Sequence, residues 1–350
     1  MQGYLITPLY LIISIFICTL LCCGEPSMKS ANGDINPSVR ANIIRYDSLM
    51  LGWNEGSITT DLKTSQDLSP AFHDLFIHQI LALPREQDII NQEVIRMVND
   101  TGFHRLVMDV GDSFEDFEGL QKELNQLLQN YQEIFGVDKT PNVYTFISGF
   151  VYQCFVFDDI DRDGIGIGLD MFLGADFPYD QINPSNPAFS SYLTQFYDQE
   201  HMVKKVAEVL IEDRLPPPDK SDFLSLMIWG GKKLYLIDQL LPFKSDAVIM
   251  EYTPAQYEWC QQNESQMWDL FFEQSLFYET DIRKFNKLIA PSPTSPGMPP
   301  ESPGRTANYM GWQVIKKYMT THPRTSIEQL TTLIDAQLIL DKSNYKPRRA

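Results

Sequence analysis

The chain has 350 residues, 43% of them hydrophobic and 21% charged, a globular composition long enough to bury a large core. Its formal net charge is −18, and the first 24 residues contain no charged side chain, so the whole acidic balance falls on the remainder. An acidic body repels phosphate backbones, which excludes nucleic acid as the expected partner.

The N-terminal stretch YLITPLYLIISIFICTLLCC is a continuous apolar run, followed by the polar spacer GEPSMKSANGDINPS. It resembles a bacterial lipoprotein leader, with Leu20, Leu21 and Cys22 in the lipobox and Cys23 as the residue that is acylated once the leader is removed. An uncleaved signal anchor is the alternative, because a run of this length can also span a bilayer. Either route places the folded part outside the cytoplasm and tethers it to a membrane. The expected organisation is therefore a leader over 1–22, a lipidated linker over 23–40 and a single domain over 41–350.

After a short strand-like stretch, ANIIRYD, helical patterns dominate. Ser69 and Pro70 open a helix that runs to Pro84, and a second, EQDIINQEVIRMVNDTG, stops at Gly102. A third carries Ser113 and Asp116 in capping-box spacing, a Glu118/Lys122 pair, an apolar face from Phe117 to Phe135 and a terminating Gly136. Residues 142–173 read as a small antiparallel sheet, built on NVYTFIS, VYQCFVF and IGIGLDMFL. Helices return over about 186–215, 219–241 and 253–280, the last opened by Thr253, Pro254 and Gln256. The Pro-rich loop APSPTSPGMPPESPG interrupts them, and two more follow near 307–320 and 325–341. The fold class expected is mainly α (α+β): one helical domain with a small antiparallel sheet or hairpin.

The most conspicuous candidate site is DDIDRDGIGIGLD, residues 158–170. Asp159, Asp161, Asp163 and Asp170 fall at positions 1, 3, 5 and 12 of an EF-hand loop, with Gly164 at position 6. The flanks are β-like and position 12 lacks the longer Glu, so the choice lies between a calcium-binding turn in a calcium-stabilised structural module and a solvated Asp-Gly hairpin. No cofactor other than calcium is expected. Zinc-peptidase spacing is missing: the chain has no His-Glu-x-x-His, and where Glu200-His201 begins such a pattern, Lys205 occupies the second ligand position. Nucleophile-elbow and phosphate-loop motifs are missing too. Cys154 and Cys260 stand in an apolar run and an amphipathic helix, which predicts buried free thiols over a bridge. The glycine pair in IWGGKKLYLID predicts close helix packing. Asn263 and Glu264 sit among aromatic residues, and Arg305 precedes a helix, where it is expected to clamp the Pro-rich loop to an acid such as Glu264 or to bind an external carboxylate.

IGLDMFLG, GKKLYLIDQLLP, QYEWCQQNESQMWDLF and SPGRTANYMGWQVIKKYM, in that order and with the lipobox cysteine, resemble the gliding motility-associated lipoprotein GldB family of Bacteroidetes. More distantly, that family is similar to predicted zinc peptidases, whose His-Glu-x-x-His this chain lacks. The resemblance implies a membrane-anchored envelope lipoprotein, a pseudoenzyme facing the periplasm, that supports gliding through contacts with other envelope proteins, on a fold akin to a degenerate zincin. A diverged zinc-peptidase-like enzyme or a peptide-binding protein is the alternative. Carried over residue by residue, the resemblance marks Cys23 for lipidation and marks Asp170, Trp259, Asn263, Glu264, Gly304, Arg305 and Gly311 as motif positions of unassigned role.

Overall fold

The computed structural model describes residues 41–349, so the leader, the lipobox and Cys23 lie outside the described residues. The chain starts with strand β1 (Ile43–Arg45) and passes through helices α1 (Tyr46–Gly52), α2 (Ile58–Leu68), α3 (Pro70–Leu75), α4 (Gln87–Val98), α5 (Thr101–Ser113) and α6 (Glu118–Phe135). Strands β2 (Asn142–Phe146), β3 (Cys154–Asp159) and β4 (Arg162–Gly168) follow. Short turns lead to α7 (Gln199–Arg214), α8 (Phe223–Leu240), α9 (Asp246–Met250), α10 (Pro254–Gln262) and α11 (Glu264–Glu273). After the Pro-rich loop come α12 (Thr306–Thr321), α13 (Ile327–Thr332) and α14 (Ala336–Ser343).

The protein is mainly helical with one four-stranded sheet, as its hydrophobic patterning predicts, but the sheet is mixed. Strand order is β1-β2-β4-β3: β1 and β4 both run parallel to β2, and only β3 and β4 form the expected antiparallel hairpin. The loop between β2 and β3 carries the chain to the far edge, and β4 returns into the gap. Ile165 and Ile167 of β4 are buried, while Gly164 and Gly166 lie opposite Phe157 and Phe155 of β3, whose rings occupy the space a Cβ would need. Glycine in this strand makes room for cross-strand aromatics.

Several helix boundaries differ from the sequence reading: the helix opened at Pro70 ends well before Pro84, that expected over 186–215 begins at Gln199, and those expected over 253–280 and 325–341 are each broken in two. Gly102 does not end a helix but sits in the first turn of α5, whose N-cap Asp100 accepts a bond from the Phe103 amide. Ser113 is consequently the last residue of α5, and the Ser113/Asp116 capping box does not form; Asp116 instead accepts from the Glu118 amide. Three other signals hold. Gly136 closes α6 in the left-handed conformation, Glu118 and Lys122 pair at 3.2 Å, and Thr253 with Gln256 makes a full capping box.

The tightest helix contact joins α8 and α12. A methyl group on Gly231 would overlap the backbone of Gly311, and one on Gly311 would overlap the Met227 carbonyl. Both glycines therefore let two helices cross at backbone contact, and Trp312 next to them is fully buried. This crossing fixes the start of α12, and with it Arg305, against the rest of the body.

Candidate functional site: a buried ion cluster beneath a cavity

Helix α7 is N-capped by Asp198, which accepts from the His201 amide at 2.9 Å, and one turn later it carries two adjacent lysines. Lys204 is 1% exposed, among the apolar residues Met202, Val203, Val206 and Ala207. A lysine so deeply buried must be paired. Its Nζ lies 2.7 Å from Glu208 Oε2 and 3.2 Å from Glu251 Oε1. Lys205 Nζ reaches the same two carboxylates, at 2.6 Å from Glu251 and 3.2 Å from Glu208. Lys233 of α8 joins Glu208 at 2.9 Å and Glu212 at 3.0 Å. From the other side, Arg305 Nη1 donates to Glu251 Oε2 at 3.0 Å and Nη2 to the Glu251 carbonyl at 3.2 Å.

Glu251 is thus the hub, held from three directions. It ends α9 at φ 51°, ψ 56°, and Arg305 precedes α12 at φ 59°, ψ 25°. Two left-handed residues other than glycine, paired with each other, are a local strain of about 1–3 kcal/mol each, which the surrounding structure must enforce. Burial opposes ionisation of Glu251 most strongly, yet Lys204, Lys205 and Arg305 outweigh it and hold its carboxyl well below the usual range. Glu208 is held low in the same way by Lys204, Lys205 and Lys233. Burial also works against Lys205, but Glu208 and Glu251 raise its pKa; for Lys204, burial wins and the pKa falls.

Lys205, Glu251 and Arg305 form the charged part of the wall of a cavity of about 220 Å³. Tyr192, Phe196, Tyr197 and Tyr252 supply aromatic surface, and Pro291, Pro293 and Pro303 bring in the Pro-rich loop. Gly304 also lines the cavity: its carbonyl accepts from the Tyr252 hydroxyl, and a Cβ there would overlap the Ser292 backbone. Gln153 completes the wall with a buried amide nitrogen that has no hydrogen-bond partner.

Of the motif positions marked by the family resemblance, Gly304 and Arg305 meet here. Arg305 pairs with Glu251, not with Glu264, because the left-handed turn before α12 aims it at the end of α9. Glu264 is buried elsewhere, accepting from Tyr309 at 3.0 Å, Tyr345 at 2.8 Å and the Arg348 amide at 3.0 Å. Asn263 separates α10 from α11 by donating to the Trp259 carbonyl, so Trp259 and Asn263 shape a helix break; Gly311 serves the helix crossing.

The four carboxylates of the calcium pattern do not converge. Asp159 accepts from Asn142 and Tyr144, both at 2.7 Å. Asp161 is bonded by Arg162 and Lys139, which bring its pKa down to about 2. Asp163 lies 3.9 Å from Arg214. Asp170 belongs to the opposite end of β4, since the strand from Asp163 to Gly168 alone extends roughly 16 Å. There its buried carboxylate accepts from the amide and hydroxyl of Ser148 and from the Phe150 amide, pinning the loop between β2 and β3. Among the described residues, no group of three or more His, Cys, Asp and Glu is placed to hold a metal ion. Cys154 and Cys260 are both free thiols.

Sequence reasoning missed Lys204, Lys205, Glu208, Lys233 and Glu251. One signal was present: a Lys-Lys pair followed by Glu208, set into the apolar face of a helix, is a pattern that burial permits only with partners.

Fold and site together define a mainly helical protein with one mixed sheet and an ion cluster beneath a cavity. The family model described as "Gliding motility protein GldB" matches residues 29–347, and the chain belongs to this family of gliding-motility lipoproteins. No curated protein and no solved structure gives a significant match. No helix among the described residues is long and apolar enough to cross a membrane.

Proposed function

We propose that this protein is a lipid-anchored, extracytoplasmic component of the gliding apparatus that works by contact with other envelope proteins and without catalysis. The family match over nearly the whole chain carries this reading. Cys23 supplies the anchor, residues 23–40 supply reach, and the folded part faces the periplasm; acyl chains at one cysteine give the attachment that a single chain does not. The non-catalytic reading draws on the chemistry of the cavity. Glu251 and Glu208 are engaged by cations on several sides and stay ionised, which suits a preorganised binding surface better than a general base, whose pKa must lie near the working pH. Substituting Cys23 with alanine tests the anchor: the protein should leave the membrane fraction and gliding should fail. Unchanged fractionation and unchanged gliding would refute it. A purified sample holding stoichiometric zinc by elemental analysis would instead favour the diverged-peptidase reading.

A further inference from the structure

We infer that the cavity above Lys205, Glu251 and Arg305 takes the carboxylate end of a peptide chain whose last side chain is apolar or aromatic. The inference rests on the contact role proposed above and adds what is contacted.

Charge is the first argument. The cluster contains four cations, Lys204, Lys205, Lys233 and Arg305, against three carboxylates, Glu208, Glu212 and Glu251. Lys204 and Lys205 each reach Glu208 and Glu251, Lys233 bridges Glu208 and Glu212, and Arg305 reaches Glu251, so four cations share three carboxylates. Lys205, Arg305 and Glu251 are the members that line the cavity, two cations and one carboxylate, so its wall carries one positive charge in excess within a chain of net charge −18. Partly buried positive charge without a full complement of anions attracts one.

Hydrogen bonding is the second. The amide nitrogen of Gln153 is buried in the wall with nothing to donate to. An orphaned donor costs about 1–3 kcal/mol, which an incoming oxygen acceptor recovers once the Gln153 side chain turns toward it. A carboxylate has two oxygens to divide between a cation and an amide donor.

Size and lining are the third. At about 220 Å³ the cavity is smaller than the roughly 300 Å³ at which pockets for drug-sized molecules begin, and it fits about one residue. Tyr192, Phe196, Tyr197 and Tyr252 offer ring faces to that residue's side chain, and the prolines present apolar surface that needs no bond from the ligand. Capture of a chain end by fixed donors is an established mode of peptide recognition.

The test is calorimetric titration of the full-length, detergent-solubilised protein with the peptide Ala-Ala-Gly-Phe, its C-terminal amide, and free phenylalanine. The acid peptide should bind, the amide about tenfold more weakly or not at all, and added salt should weaken the acid peptide only. Gln153→Ala, which breaks no existing side-chain bond, should lower affinity for the acid peptide by about tenfold without lowering the melting temperature. Equal binding of acid and amide, or no binding of either, overturns the inference. Free phenylalanine binding as tightly as the peptide overturns the chain-end assignment. None of these results depends on gliding or membrane fractionation, so failure here is distinct from failure of the anchor.

Discussion

The acidic hairpin at residues 158–170 and the ion cluster around Glu251 are opposite cases. The hairpin packs its carboxylates closely in sequence, yet in space they diverge, each with its own local partner. The cluster draws Lys204, Glu251 and Arg305 from distant stretches of chain, Glu251 and Arg305 alone being 54 positions apart, and brings them within hydrogen-bonding distance. Density of charge along the chain says little about a site: the turn after Asp159 sets Asp159 opposite Arg162 and Asp163 opposite Asp158, on opposite faces of the hairpin. Burial of charge says much more, because a buried ion must find partners.

This contrast predicts a ranked set of effects. The largest belongs to Glu251→Gln, which leaves Lys204, Lys205 and Arg305 short of a counter-charge and should cost about 3–5 kcal/mol in chemical denaturation. A loss no greater than that of a surface variant would remove the cluster from the account of stability.

Next is acid sensitivity, which has two windows. His73 donates to or accepts from Tyr46 at 2.8 Å, and burial, with the charge of His78 a lesser cause, lowers its pKa from 6.5 to about 4. The unfolded chain therefore binds the proton first, and stability should fall as pH drops from about 6.5 to 4. Glu251 and Glu208 have folded pKa values below their ordinary 4.5, so their contribution is complete above that pH and is lost as pH falls further. In Glu251→Gln the lower window should flatten while the upper one remains; melting temperatures across the pH series decide it.

Smaller is Asp159→Asn. It weakens bonds from Asn142 and Tyr144 on a partly exposed edge and should cost about 1 kcal/mol. Smallest is Asp161→Asn, at an exposed turn, where the melting curve should not move. Excess calcium should leave the melting temperature unchanged in both variants and in the parent; a rise in the parent that Asp161→Asn abolishes would restore the hairpin as a metal site.

Much of the fold was legible from residues 41 onward because helix signals are local. Caps, proline at the first turn, apolar periodicity and Gly136 all act within a few residues of where they stand. Misreadings arose where a local signal has two meanings. Gly102 reads as a stop, but the first turn of a helix tolerates glycine when Asp100 caps it. Asn263 interrupts a periodic pattern that continues on both sides, because its side chain bonds back to the Trp259 carbonyl. Strand direction in the sheet depends on which edge a loop reaches, and Asp170, whose spacing fits an ion ligand, pins that loop instead. At the site, Arg305 was visible as a paired arginine, but its partner was not, since a left-handed turn sets the direction of the side chain.

The central claim is that this protein meets its envelope partners through the cavity over Glu251. The most direct measurement is crosslinking in native envelopes, together with gliding speed, in a strain carrying Tyr192→Ala and Gln153→Ala, two wall residues outside the ion cluster. The variant should accumulate at normal levels in the membrane fraction while its crosslinks fade and gliding slows. Normal crosslinks and normal gliding would contradict the claim.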